Sequence, residues 1–118
     1  MIKMIKLQDR KNSVSALMVD DCVIGWIVEK PENSLKPGKY DVICEREEFY
    51  AIVGKKKMRF MANGCTDEGI KIYGSLVDDS KGLSNMAYRY FFRKVFGRTK
   101  ETLEVRTIDG INIKKERS

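Results

Sequence analysis

Short runs of alternating apolar and polar residues fill about the first 74 positions of the chain. This period-two alternation is typical of half-buried β-strands, and turn signals separate the runs roughly every eight to twelve residues. The pattern predicts strands over residues 1–7, 14–19, 22–28, 40–45, 49–53 and 58–62. Because successive strands are joined by short turns, we expect an antiparallel meander.

Two aspartates, Asp20 and Asp21, stand between the second and third runs. Asp tolerates the positive φ that a two-residue hairpin demands, so the pair predicts a tight turn. The run after this turn, residues 22–28, is apolar on both faces. Such a strand is expected to be central and covered on both sides, which predicts a buried Trp26.

A helical repeat of apolar residues lies between Lys81 and Gly97. The repeat predicts a helix from near Leu83 to Phe96 whose apolar stripe covers a sheet. Ser84 or Ser80 can cap its start, and Gly97 suits the position after its end. The stripe consists of Leu83, Met86, Ala87, Tyr90, Phe91 and Val95.

A strand over residues 103–107 follows, and then Asp109–Gly110, a strong hairpin signal, leads to a return strand over 111–113. Together these elements predict one α+β domain over residues 1–113 and a charged tail over 114–118. We expect a mostly antiparallel twisted sheet, or a partly open β-barrel, of about eight strands with one packed α-helix.

The amino-acid composition limits the catalytic and metal sites that this chain can form. The 118 residues include no histidine, which excludes Cys–His and Ser–His dyads and most zinc sites. Three cysteines at wide spacing provide neither a complete disulfide framework nor a CxxC metal ribbon, so we expect reduced thiols, no metal and no cofactor. No apolar run reaches the length of a membrane span, which predicts a cytoplasmic protein, or a virion-associated one if phage-encoded.

The formal net charge of +6 is concentrated in the second half of the chain, because residues 1–53 carry −1 and residues 54–118 carry +7. The candidate basic surface comprises Lys55, Lys56, Lys57, Arg89, Phe92 and Arg93. Cations interleaved with aromatic rings suit single-stranded nucleic acid, but the same residue types are enriched in protein interfaces. They also fit rings covered by neighbouring loops, with arginines on the wet rim.

Other reactive side chains cluster at Gly64–Gly69 and in the acid pairs Asp20–Asp21, Glu47–Glu48 and Asp78–Asp79. Cys65, in the first of these clusters, has no histidine to activate its thiol. Adjacent acids in turns are usually solvated. We therefore expect these groups to be structural.

Several segments share their order with a known pattern. They are Ser13 with Val14–Asp20, Trp26–Pro31, Leu35–Tyr40, Asn63 with Asp67–Gly69, Gly74 and Leu83–Ala87. In this order, over about residues 7–108, the chain resembles an uncharacterised bacterial and bacteriophage family of unknown function, which has an I/L-x-x-G-x-Y loop and a later His strand and Gly-Cys turn. That family is in turn similar to the cysteine transpeptidases of the bacterial cell wall, whose His and Cys form the catalytic pair.

The resemblance implies a cleft at Met61, Asn63, Asp67, Gly69 and Ile70. Met61 stands at the histidine position and Ile70 at the cysteine position, while Cys65 is not the matching residue. We therefore expect no enzyme activity and a non-catalytic binding or structural accessory protein of bacterial or phage origin. A protein partner or a homo-oligomer is favoured, and a small basic nucleic-acid-binding module is the alternative.

Overall fold

The computed structural model describes residues 1–7, 13–30, 34–63, 68–75, 81–98 and 100–108. These residues form β1 (Ile2–Leu7), β2 (Ser13–Val19), β3 (Cys22–Glu29), β4 (Gly38–Glu45), β5 (Glu48–Val53), β6 (Lys56–Ala62), β7 (Ile70–Tyr73), α1 (Lys81–Val95) and β8 (Glu101–Ile108). The predicted α+β class, with many strands and one helix, is confirmed. The predicted hairpin at Asp109–Gly110, its return strand and the tail over 114–118 lie outside the described residues.

The eight strands close into a barrel in the order β1-β2-β3-β7-β6-β5-β4-β8. Two of its pairings, β1 with β8 and β6 with β7, are parallel, and the other six are antiparallel. The expected antiparallel meander is confirmed for β1-β2-β3 and for β4-β5-β6. It is wrong between β3 and β4, because β3 pairs with β7 through Trp26 and Ile27 instead of with β4. β8 then pairs with both β4 and β1, which closes the ring.

Alternate residues of the strands fill the barrel, as strand geometry requires. Its fully buried strand side chains include Ile2, Met4, Leu17, Val19, Ile27, Phe60, Ile72, Leu103 and Val105. The Asp20–Asp21 hairpin is confirmed: both residues have positive φ, 50° and 68°, and Val19 pairs with Cys22 across the turn.

The helix α1 packs across one end of the barrel, which we call the helix end. Ala87, Phe91 and Val95 join the core there. The predicted stripe is wrong in part, because Leu83, Met86 and Tyr90 are exposed. The approach is too close for large side chains, since a Cβ on Gly74 would lie 2.4 Å from the Leu83 backbone. Small Ser84 and Ala87 therefore face the sheet.

The ends of α1 are fixed by backbone contacts. Ser84 lies inside the helix, and its hydroxyl accepts a hydrogen bond from the Gly74 N–H at 3.3 Å instead of capping the first turn. Ser80, the other capping candidate, lies outside the described residues. Gly97 follows the helix with φ of 89°, and the Arg98 N–H donates to the Val95 carbonyl at 3.2 Å.

An ion-pair network ties the end of α1 to the β2–β3 turn. The Arg98 guanidinium contacts the Asp20 carboxylate and donates to Glu101 at 2.7 Å. The hydrogen bond from Arg98 holds the pKa of Asp20 well below its usual range, and the bond to Asp20 raises the pKa of Arg98. Burial raises the pKa of Glu101, but hydrogen bonds from Arg98 and the Thr102 N–H outweigh it and lower that pKa.

Trp26 is half-buried, so the prediction of a fully covered β3 is wrong. Val23 on the same strand is exposed. The helix lies across the end of the barrel, so it contributes to the covering of inward-facing Gly25 and leaves the outward side of the strand to solvent.

The opposite end of the barrel, which we call the far end, is closed by Leu35. The Leu35 N–H donates to Glu29 at 2.8 Å, and its carbonyl accepts a hydrogen bond from Lys6. The Leu35 side chain is buried beneath this pair. Lys6 and Glu29 therefore hold the backbone of Leu35, and the Leu35 side chain closes the far end.

Candidate binding groove

The β4–β5 turn is built from residues that disfavour its backbone shape. Arg46 and Glu47 link Glu45 to Glu48 with φ of 50° and 64°. Two-residue hairpins of this type favour Asn, Asp and Gly, and a left-handed conformation costs other residues on the order of 1 kcal/mol each. The turn carries these side chains to the helix end, beside α1.

A groove of about 440 Å³ lies between this turn and α1. Arg46, Glu47 and Glu48 line one side, and Tyr88, Arg89, Phe92 and Arg93 line the other. The spacing of the helical residues puts them on one side of α1, because positions three and four apart are neighbours on a helix surface.

The electrostatics of the groove are unbalanced. Glu48 is already engaged, since it accepts a hydrogen bond from Arg59 at 3.2 Å and another from the Tyr50 hydroxyl at 2.8 Å. The bond to Glu48 raises the pKa of Tyr50.

The three arginines of the groove have no such partner in the part of the chain that the structure describes. Among the residues that the structure describes, Arg46, Arg89 and Arg93 form no ion pair. Glu47 is exposed at the rim and likewise forms no ion pair in that part of the chain. The groove therefore presents three guanidinium groups against one unengaged carboxylate.

The aromatic side of the groove is anchored in the core. Phe91 is fully buried. The centroid of its ring lies 4.9 Å from the ring centroid of Phe60 and 5.9 Å from that of Phe49. Phe49 in turn contacts Phe92 at 5.5 Å, and Phe92 stacks on Phe96 at 5.0 Å. A continuous chain of rings thus runs from the barrel interior to the surface and restrains the groove wall.

The outward side of α1, beyond the residues that line the groove, carries exposed apolar side chains. Met86 is 67% exposed and Phe96 53% exposed, and Leu83 and Tyr90 are exposed as well. The helix contains no Asp or Glu, while Arg93 and Lys94 stand in its last turn. Arg89 and Arg93 lie between these apolar side chains on the helix surface.

The structure divides the predicted basic surface. Arg89, Phe92 and Arg93 line the groove, but Lys55, Lys56 and Lys57 lie at the β5–β6 turn on the far end. β5, which is six residues long, lies between the β5–β6 turn and the groove, and its two end residues are about 16 Å apart. The Lys57 side chain reaches back toward the groove, but it is paired there with Glu45, the residue before Arg46, at 2.9 Å.

The cleft that the resemblance implies is not an open site in the described residues. Met61 and Ile70 are each only 3% exposed. A Cβ on Gly69 would come within 2.6 Å of the Met61 methyl carbon, so these two residues are in contact. Asn63 is half-buried and its N–H donates to the Ile72 carbonyl, while Asp67 lies outside the described residues.

Other chemistry-bearing groups stand apart. Cys22 and Cys44 are free and exposed on different strands, and Cys65 lies outside the described residues. Within the described ranges, no group of three or more Cys, Asp or Glu side chains is placed to hold a metal ion.

Comparisons with known proteins add no relative. No family model, curated protein or solved structure matches this chain. In the described part of the chain, no helix is long and apolar enough to cross a membrane. The groove geometry is therefore the observation on which a functional proposal rests.

Arg46 and Tyr88 are not among the residues of the predicted basic surface. The Arg-Glu turn contained the available signal, because it joins two strands where Asn or Gly would fit better. Residues that oppose local backbone preference are candidates for a role outside folding.

Proposed function

We propose that this protein is a non-catalytic binding module that docks another protein in the groove between α1 and the β4–β5 turn. The observation that carries the proposal is the convergence of Arg46, Arg89 and Arg93, without ion pairs among the described residues, on a wall of anchored aromatic rings. A few residues carry most of the binding energy in protein interfaces, and arginine, tyrosine and tryptophan are enriched among them.

The proposed surface has a composition typical of interfaces. Exposed Met86 and Phe96 flank the arginines, and methionine, aromatic residues and arginine are all enriched where proteins dock. Because the rings continue into the core, little side-chain freedom remains to be lost on binding. A role as an accessory protein of bacterial or phage origin is part of the proposal and rests on the sequence resemblance.

Single-stranded nucleic acid is the second candidate. The Arg89 and Arg93 guanidinium groups beside the exposed Phe96 ring provide cations for phosphates and a face for a base. Lys55 and Lys56 lie at the far end, and the cations between them and the groove are engaged by carboxylates, Lys57 by Glu45 and Arg59 by Glu48. This arrangement favours a protein instead.

Selection from a random peptide library displayed on phage tests the proposal. The wild-type protein is the target, and a double variant, Arg89→Glu with Arg93→Glu, is the counter-target. We expect enrichment of peptides that bind the wild type and lose binding to the variant. Enrichment that is equal on both proteins, or absent from both, contradicts protein docking in the groove.

A salt titration separates the second candidate. Binding of a fluorescent single-stranded oligonucleotide is measured as ionic strength rises, and each phosphate contact contributes about −0.7 to the slope of log affinity against log salt. We expect weak binding that disappears by physiological salt. Micromolar binding at that salt, lost in the double arginine variant, favours the nucleic-acid module.

A further inference from the structure

Resting on the proposed function, we infer that the groove takes an acidic peptide segment of a different protein, in which Asp or Glu residues flank an apolar side chain. The carboxylates pair with Arg46, Arg89 and Arg93, and the apolar side chain packs on Tyr88 and Phe92.

Charge is the first support for this partner. The three guanidinium groups come from two elements and meet at one groove, and Glu48, one of the two acids that line it, is held by Arg59 and Tyr50. Guanidinium groups bind carboxylates through two parallel hydrogen bonds, which gives both strength and orientation. An acidic segment supplies the countercharge that the described residues do not.

Shape is the second support. The groove is an open depression of about 440 Å³, which admits a side chain of a peptide segment that lies across it. Its aromatic wall is held in place because Phe92 contacts both Phe49 and Phe96. A leucine or phenylalanine side chain buried there gains hydrophobic stabilisation at small entropic cost.

A second copy of the chain fits the groove poorly. A two-fold contact between α1 helices would bring Arg89 and Arg93 of both copies together, because such interfaces use the same patch twice. α1 has no acidic residue to offset that repulsion. A partner of opposite charge is therefore favoured over a symmetric dimer.

The remaining charge at the rim distinguishes a peptide from a nucleic acid. Glu47 is exposed beside the arginines and repels a phosphate backbone that passes along the turn. A peptide can place a neutral or basic residue opposite Glu47, whereas a nucleic-acid strand carries a negative charge at every step. The mixed rim thus favours a patterned acidic peptide.

A peptide array provides the test. Short peptides place leucine or phenylalanine between flanking positions that are filled with every combination of glutamate and glutamine. Binding of the purified full chain to each peptide is measured by fluorescence anisotropy. We expect affinity to rise with the number of glutamates, and the all-glutamine peptides to bind at least about tenfold more weakly.

Two variants matched in charge localise the effect. Arg89→Glu with Arg93→Glu, and Lys55→Glu with Lys56→Glu, each lower the formal net charge from +6 to +2. The exposed arginine and lysine side chains allow both variants to fold, which thermal unfolding verifies. We expect the arginine pair to weaken binding of glutamate peptides on the order of tenfold or more, and the lysine pair to change it less than about twofold.

The inference is overturned if no peptide of the array binds, if glutamate and glutamine peptides bind equally, or if both variants weaken binding alike. Preferential binding of a single-stranded oligonucleotide in competition with the glutamate peptides also overturns it. If the random library yields peptides that depend on the groove but lack acidic residues, the acidic partner is wrong while the proposed function stands.

Discussion

The Nζ atom of Lys6 lies 3.2 Å from Oε1 of Glu29 at the far end of the barrel, and both side chains are more than nine-tenths buried. The same two residues hold the backbone of Leu35, one through its N–H and the other through its carbonyl. A buried ion pair is costly to break because the remaining partner stays charged and desolvated.

Lys6→Met is therefore expected to lower the free energy of unfolding by about 3–5 kcal/mol, measured by urea denaturation. Adding Glu29→Gln removes the unpaired charge and restores part of the loss. Lys3→Met is the matched control on the same strand, since Lys3 pairs with the exposed Asp21 and should cost less than about 1 kcal/mol. An equal loss of unfolding free energy in the two lysine variants contradicts a stabilising role for the Lys6–Glu29 pair.

Replacement of the β4–β5 turn is expected to separate stability from binding. Arg46→Asn with Glu47→Gly places favoured residues at both left-handed positions and should raise the free energy of unfolding by about 1 kcal/mol or more. Arg46→Asn alone removes one groove arginine, leaves Glu47 in place and should weaken binding of the glutamate peptides. A less stable variant, or one with unchanged binding, would show that the wild-type turn residues are not retained for the groove.

Acid is expected to loosen the attachment of α1 to the β2–β3 turn. The pKa of Asp20 and that of Glu101 are lowered in the folded protein, so their stabilising effect is present above the unfolded values near about pH 4 and is lost as pH falls through the folded values. Asp20→Asn, which keeps a residue tolerant of positive φ, should lower Tm at neutral pH. The difference in Tm from the wild type should shrink in strong acid, and a constant difference contradicts the ion-pair argument.

Two glycine substitutions test the close packing of α1. Gly74→Ala places a methyl group 2.4 Å from the Leu83 backbone and should destabilise the protein by about 1–3 kcal/mol. Gly82→Ala meets no atom within 4 Å and lies in the first turn of the helix, so it should stabilise by up to about 1 kcal/mol. Thermal unfolding compares the pair, and effects of the same sign would argue against this packing.

Catalysis by cysteine is expected to be absent. With Met61 and Ile70 at the positions that the resemblance assigns to histidine and cysteine, the purified protein should show no transpeptidase or peptidase turnover on peptidoglycan fragments. Cys65→Ser should leave this result unchanged, as followed by chromatography of the fragments. Turnover that disappears in the Cys65→Ser variant is the outcome that would defeat the non-catalytic proposal.

The local sequence pattern predicted where strands, turns and the helix lie better than it predicted which strands pair. Strand alternation, the Asp20–Asp21 turn and the burial of Phe91 follow from spacing and residue type, and the structure confirms them. The pairing of β3 with β7 depends on a contact between residues far apart in sequence, which periodicity does not encode.

For the same reason, the sequence predicted the helical side of the groove but not the side formed by the β4–β5 turn. Arg89, Phe92 and Arg93 share one helix, so helical spacing alone placed them together. Arg46 joins them only because barrel closure brings the β4–β5 turn to the helix end. The apolar pattern also predicted the wrong buried face at the start of α1. The helix comes so close to Gly74 that small side chains face the sheet there instead of large apolar ones.

The parallel seam between β1 and β8 has a consequence for synthesis on the ribosome. Ile2 pairs with Leu103, so β1 is synthesised long before β8, the strand that pairs with it and closes the ring. β8 also covers the outer edge of β4, so until it is translated both β1 and β4 present unpaired backbone. Contacts of such long sequence separation slow folding, and the nascent chain is therefore most open to wrong strand pairing along the seam that makes the finished barrel edgeless.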